Sequence, residues 1–394
     1  MEQNSNSDSG DSPASSDGID FDFGTLRRYP DIEAANLFAH DATDELILAE
    51  AAAALAGAGD GKVAIVGDRY GALTVAAARI HGLGGLRVHQ DGLSGELALH
   101  ANAQRAGLND AYSSLPLEGA LFDGATVVLW QLPRGLEELA EVAELIRAHA
   151  SPDVQVIAGA RIKHMTLAMN AVLQQHFSDV SAGRAWRKSR PLKASKPLRE
   201  PSASSFPRKE FHDGPGLWLC AHGATFGGTK IDVGTRFLLD FIPQMRTDAV
   251  EAIDLGCGNG TIAAALAKAR PGLHVTATDQ SAAAVASTTA TARANGLEAR
   301  IDAVRDDALA GFPAGSADLI VLNPPFHVGA TVHAGIALKL FAAAARVLAP
   351  GGELWCVYNR HLQYKPSLEK LVGPTEIMGR NSKFTVSVTT RPGT

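Results

Sequence analysis

A short apolar run that breaks into a glycine-containing turn and then an amphipathic, Ala-rich segment occurs twice in this chain, once in each half. In the first half residues 62–66 enter Gly67-Asp68-Arg69-Tyr70-Gly71; in the second, residues 250–255 enter Gly256-Cys257-Gly258-Asn259-Gly260. A further apolar run follows at a matching place in each: residues 126–130 lead into Gln131-Leu132-Pro133-Arg134, and residues 318–322 into Asn323-Pro324-Pro325-Phe326. A helical pattern and another strand follow both, and the closing segments rhyme, SAGRAWRKSRPLKAS beside IMGRNSKFTVSVTT. Strands that alternate with helices build a parallel sheet covered on both faces. The repeat therefore predicts an α/β fold made of two tandem Rossmann-like domains.

A length of 394 residues accommodates two such domains. With 46% hydrophobic and 20% charged residues, collagen-like, wholly disordered and disulfide-scaffold classes are excluded. Residues 1–22 are rich in Ser, Asp, Asn and Gly, with six acids and no Lys or Arg, and read as a disordered acidic tail that buries too little to offset its chain entropy. Because the net charge is −6, the remaining body is electrically balanced, which gives no bulk signal for duplex DNA. We read 23–192 as the first domain, the Pro-, Ser- and Lys-rich stretch 193–216 as the join, and 217–394 as the second domain. No basic stretch leads into an apolar leader and no run is long enough to cross a membrane. Cys220, Cys257 and Cys356 are too far apart for a C-x-x-C pair. A cytoplasmic chain with no metal and no membrane span is expected.

The second half carries the chemistry. Asp254-Leu255-Gly256-Cys257-Gly258-Asn259-Gly260 falls between a strand and a helix, where glycines let backbone lie against a ligand at a helix N-terminus. Asp279 closes the next strand, the position from which a doubly wound sheet offers a carboxylate to ribose hydroxyls. The G-x-G-x-G spacing, preceded by an acid, favours S-adenosylmethionine over a nicotinamide cofactor, since Asp254 or the adjacent loop backbone can hold an ammonium group. Asp307, or Asp306 beside it, stands at a third strand end and can meet an adenine amino group. Asn323-Pro324-Pro325-Phe326 is a stiff loop whose Asn oxygen and Pro carbonyl can accept both hydrogens of a planar NH2 while Phe326 stacks on the ring. Little proton chemistry is needed beforehand, so positioning and electrostatics carry the rate.

With these residues the chain resembles the class I S-adenosylmethionine-dependent methyltransferases, and more narrowly the bacterial ribosomal RNA guanine-N2 methyltransferases built from two tandem homologous domains. The resemblance rests on Phe226-Gly227, Ile231-Asp232-Val233-Gly234, the Asp254 to Gly260 loop, Asp279, Asn323-Pro324-Pro325-Phe326-His327 and Val357-Tyr358-Asn359-Arg360-His361-Leu362. It covers nearly all of 216–392 and extends more weakly back to about residue 30. The Asn-Arg-His-Leu segment and Asn381-Ser382-Lys383-Phe384 resemble the large-subunit (23S) enzyme more than the small-subunit (16S) one. The resemblance implies a degenerate N-terminal domain that supports folding and holds RNA, with no cofactor in it. It also implies that Phe226 and the Asp232 to Thr235 stretch cover the cofactor, although 231–239 reads equally well as a helix start.

Residues 184–199 hold seven cations and no acid, with Trp186 among them. Arg184, Arg187, Lys188 and Arg190, with His327 from the second half, are candidate RNA contacts. The competing reading is an edge strand at 186–192 whose charges prevent unwanted pairing. Adenine-N6 or protein-glutamine methylation, and a non-catalytic RNA-binding assembly role, remain open alternatives. The duplication makes a monomer plausible, since one half can serve as the other's partner.

Overall fold

The computed structural model describes residues 21–199, 204–325 and 330–393; the expected tail at 1–20, together with Phe326 and His327, lies outside them. Phe21 and Asp22, read as the end of the tail, belong to the fold. Phe21 packs against the core, and Asp22 caps the Phe23–Thr25 turn by accepting from Gly24 N at 2.9 Å. The chain divides into two compact units, Met1–Gln90 with Gly95–Pro201 and Asp91–Ser94 with Ser202–Thr394.

In the first unit β1 (Val63–Val66), β2 (Leu86–His89), β3 (Tyr112–Ser114), β4 (Val127–Gln131), β5 (Gln155–Arg161), β6 (Phe177–Ala182) and β7 (Ser189–Pro197) form one sheet in the order β3-β2-β1-β4-β5-β7-β6. After the antiparallel ribbon β8 (Arg208–His212) and β9 (Leu217–Ala221), the second unit supplies β10 (Glu251–Leu255), β11 (His274–Asp279), β12 (Ile301–Arg305), β13 (Ala317–Leu322), β14 (Leu348–Asn359), β15 (Thr375–Arg380) and β16 (Phe384–Thr390). Their order, β12-β11-β10-β13-β14-β16-β15, repeats the first strand for strand. Five strands of each sheet run parallel and the last two pair antiparallel. The apolar runs are continuous because both faces are covered. Val63 and Ile65 enter one core cluster while Ala64 and Val66 enter another, and Ala252 and Ile253 divide in the same way.

Two expectations change here. The join is narrower than 193–216, because β7 runs on to Pro197 with Leu192 and Ala194 buried, and Arg208–His212 is already strand. Nor is 186–192 one edge strand: residues 186–188 form a turn, β7 pairs with β5 from Ser189 onward, and β6 covers its other side from Leu192 to Pro197. The stretch before it is a tight turn, in which Trp186 and Ser189 exchange backbone hydrogen bonds of 2.8 Å around Arg187 and Lys188.

Candidate active site

Glycine shapes the turn after β10. Gly256, Gly258 and Gly260 take φ of 81°, 55° and 77°, a region that costs other L residues roughly 1–2 kcal/mol. A Cβ at Gly256 or Gly258 would meet no atom of the described residues within 4 Å, whereas one at Gly260 would come within 3.0 Å of Thr288 Cα. The first two therefore leave an open backbone concavity, and the third admits the Ala282–Ala294 helix.

Around this concavity stand two carboxylates. Asp279 accepts from Gly258 N (3.1 Å) and Ser281 N (3.0 Å), one on each oxygen, which fixes its plane and leaves lone pairs for a further donor. Burial pushes its pKa up, against those two N–H groups. Asp254 is fully buried near the end of β10. Its Oδ2 accepts from Ala263 N at 2.9 Å, tying strand to helix, while its Oδ1 has no hydrogen-bond partner among the described residues. Burial pushes it up to about 7, opposed by the Ala263 N–H and aided by repulsion from Asp279.

Asn259 is engaged within the protein. Its amide donates to the Gly228 and Lys230 carbonyls (2.9 and 3.1 Å) and its oxygen accepts from the Thr261 N–H and hydroxyl (3.3 and 2.6 Å), so the side chain fastens the loop to the 227–230 turn. Phe226, next to that turn, is 68% exposed. Asp306 closes its own turn by accepting from Ala310 N and Gly311 N at 2.8 Å. Asp307 is held by Lys339, whose Nζ lies 2.7 and 2.6 Å from its two oxygens; neither acid presents an unengaged carboxylate.

Asn323 follows β13, the strand beside β10, with Leu255 paired to Leu322. Its Nδ2 donates to Asp232 Oδ2 (3.0 Å) and Thr235 Oγ1 (2.9 Å), while its Oδ1 is buried and without a partner among the described residues. Asp232 Oδ2 also accepts from Gly234 N and Thr235 N (2.8 and 3.1 Å), capping the Val233–Leu239 helix. Both amide hydrogens are thus anchored, and a dry acceptor oxygen is left at the strand end. Pro324 is buried and Pro325 exposed. Such a corner can accept a hydrogen from a planar NH2. That Thr235 anchors Asn323 is not legible in the sequence; the cap pattern in Ile231-Asp232-Val233-Gly234-Thr235 is its only signal.

The candidate RNA contacts Arg184, Arg187, Lys188 and Arg190 belong to the first unit and are all exposed at or beside the β6–β7 turn. Arg187 lies 4.4 Å over the Trp186 ring and 3.3 Å from Glu45. The first unit's own glycine turn differs at its start: a Cβ at Gly67 would fall 2.9 Å from Gln131 O, while Gly71 packs on Leu99 much as Gly260 packs on Thr288. Among the described residues, no three His, Cys, Asp or Glu are grouped to hold a metal, and no helix is long and apolar enough to cross a membrane.

Comparison with known proteins follows the same division. Residues 216–388 match the Methyltransferase small domain and residues 17–197 the RLMG N-terminal domain. The chain is 35% identical over 369 residues to the ribosomal RNA large subunit methyltransferase G of Pseudomonas putida strain GB-1, covering 92% of this chain and 96% of the relative. The protein of that name from Stutzerimonas stutzeri is 36% identical, with 92% and 95% covered. Among solved structures, a T. thermophilus 16S rRNA N2 methyltransferase in complex with AdoMet and guanosine superposes with a TM-score of 0.67 at 20% identity, over 84% of this chain and 88% of that one. That likeness shows the fold.

Proposed function

This chain belongs to the ribosomal RNA large subunit methyltransferase G family, and from that premise we propose that its second unit transfers a methyl group from S-adenosylmethionine to the exocyclic N2 amine of a guanine in large-subunit ribosomal RNA. The observation that carries this reading is the state of Asn323, anchored through Nδ2 by Asp232 and Thr235 and presenting a buried Oδ1 that has no partner among the described residues.

The glycine turn fits the cofactor, since nothing stands over Gly256 and Gly258 and a buried Asp254 oxygen lacks a partner among the described residues. In this reading Asp279 accepts the ribose hydroxyls, the turn's backbone and Asp254 face the ammonium end, and Phe226 covers the site. S-adenosylmethionine supplies an electrophilic methyl on a sulfonium. The chain's own part is geometric: Asn323 Oδ1 and the Pro324 carbonyl hold the amine hydrogens, directing the nitrogen lone pair, and Phe326 stacks on the base. Asn259 serves by fastening the turn, and Asp307 meets adenine only if Lys339 shares it.

The first unit carries no methyl transfer in this reading and holds RNA through Arg184, Arg187, Lys188 and Arg190, with His327 contributing from the second. A cytoplasmic monomer without metal completes the proposal; three buried, unbridged cysteines suit a reducing compartment. Mass-spectrometric mapping of large-subunit ribosomal RNA from cells lacking this gene tests it. One N2-methylguanosine should vanish and return with the wild-type gene; an unchanged modification map contradicts the proposal.

A further inference from the structure

The first unit contains a cleft of about 320 Å3 that the reading above leaves without a role. It opens at the carboxyl ends of β1, β4 and β5, where the strand order reverses between β1 and β4. Open α/β sheets take their ligands at this kind of place. Register makes the cleft the counterpart of the candidate active site. Val66 pairs with Trp130 as Leu255 pairs with Leu322, so Gln131 stands where Asn323 stands, and Arg69 where Gly258 does. Where the second unit has an open glycine, the first has a guanidinium.

Five cations line this cleft (Arg28, Arg69, Arg134, Arg161 and Lys163) against the carboxyls of Asp41, Asp44 and Asp68. Arg28 is paired with Asp31 at 3.0 Å, and Arg161 reaches Asp41 only at 4.0 Å. Among the described residues Arg69 and Lys163 have no side-chain hydrogen-bond or ion-pair partner. Asp44 and Asp68 are buried and face each other electrostatically. Burial pushes both carboxyls up, Asp44 to about 8, where repulsion from Asp68 adds to it. Arg134 Nη2 lies 3.1 Å from His164 Nε2. His164, which lines the same cleft, is held below the usual imidazole range, first by desolvation and then by Arg134, Lys163, Arg69 and Arg161. Ile162 N donates to Lys188 O at 2.9 Å, which brings the exposed β6–β7 turn beside this rim.

We propose that this cleft is a phosphate-ester site in which Arg69, Arg134 and Lys163 take the phosphate oxygens. Guanidinium and ammonium groups that converge with too few counter-charges are matched by a multiply charged oxyanion. The phosphate has two available sources, the backbone of an RNA strand and a free nucleotide. Continuity with Arg187 and Lys188 favours RNA. None of this depends on methyl transfer.

Fluorescence anisotropy tests the proposal on the full chain without S-adenosylmethionine, using a labelled single-stranded oligoribonucleotide and a labelled ATP analogue, each competed with the other unlabelled. The wild type should bind one of the two with an affinity that falls with salt. The Arg69→Ala/Arg134→Ala variant should bind it about tenfold more weakly or worse, with a salt slope smaller by about 0.7 for each phosphate that is no longer neutralised. Arg69→Lys/Arg134→Lys should recover the slope and part of the affinity. Binding of the oligoribonucleotide that ATP does not displace assigns the site to an RNA phosphodiester; displacement by ATP assigns it to a nucleotide. No binding of either probe by the wild type, or unchanged affinity and slope in an alanine variant whose circular dichroism is native, overturns the proposal.

Discussion

Asn323 donates both hydrogens of its side-chain amide to one helix start, its Nδ2 lying 3.0 Å from Asp232 Oδ2 and 2.9 Å from Thr235 Oγ1, and so turns its oxygen the other way. An amide held at only one hydrogen could rotate, and its acceptor would wander. Thr235→Val should therefore lower kcat about fivefold with KM nearly unchanged, because one neutral hydrogen bond of about 1 kcal/mol is removed from a positioning group. Thr235→Ser, which restores the hydroxyl, should restore the rate. Steady-state methyl incorporation checks both. Asp232→Ala should lose rate and also about 1 kcal/mol of stability, since the same oxygen caps the Val233–Leu239 helix.

Two glycines of the second turn, Gly258 and Gly260, should respond differently. Gly258→Ala has open space around it and is strained only by its φ of 55°, so the fold should survive with a loss of about 1–2 kcal/mol. Its added methyl nonetheless points into the concavity, and affinity for S-adenosylhomocysteine should drop tenfold or more by calorimetric titration, by about 1.4 kcal/mol per decade. Gly260→Ala meets the Thr288 backbone at 3.0 Å and should cost more stability than Gly258→Ala in thermal unfolding. Asp279→Ala should leave the fold intact and weaken the same ligand about 10- to 100-fold, as expected when hydrogen bonds to a charged acceptor are removed.

Lys188 occupies the left-handed region at φ 65°, beside Arg187 at φ 42°, in a two-residue turn of the kind that favours Asn-Gly. Nothing in the packing requires a lysine there: its carbonyl, not its side chain, meets Ile162 N. Lys188→Gly should raise stability by about 0.5–1 kcal/mol and at the same time weaken RNA binding. A higher melting temperature with undiminished RNA affinity would remove Lys188 from the RNA-binding surface.

Asp44 makes the first unit's stability pH-dependent. Its ordinary value is 3.8 and burial raises it to about 8 in the fold, so between these values the native state binds a proton that the unfolded chain releases. The stability tied to that proton is full below about pH 4 and is lost as pH rises through about 8. Asp68 shifts in the same direction. Asp44→Asn should flatten the decline of melting temperature across that range and leave the part due to Asp68; a decline as steep as in the wild type would contradict the assignment.

The features legible in the sequence are those written in contiguous residues: both glycine turns, the strand-end Asp279, and the position of Asn323-Pro324-Pro325 after an apolar strand. Partners brought together across the fold are not. Asp232 and Thr235 reach Asn323 from about ninety residues away, Lys339 engages Asp307 from a later helix, and β7 is interior because β6 folds back onto its outer side. Asn259 has the residue type of a ligand contact, yet the 227–230 turn claims its amide. Tyr358, part of the motif that carries the resemblance, is 2% exposed and packs on Tyr364. In each case the residue type is informative and the partner lies elsewhere in the chain.

Incubation of the purified chain with methyl-labelled S-adenosylmethionine and large-subunit ribosomal RNA from cells lacking the gene, followed by nucleoside analysis, tests the central claim most directly. The account predicts label in N2-methylguanosine at one position, reduced at least about a hundredfold by Asn323→Ala while affinity for the cofactor is kept. Label in another nucleoside or in protein, or an Asn323→Ala rate equal to the wild type, would contradict it.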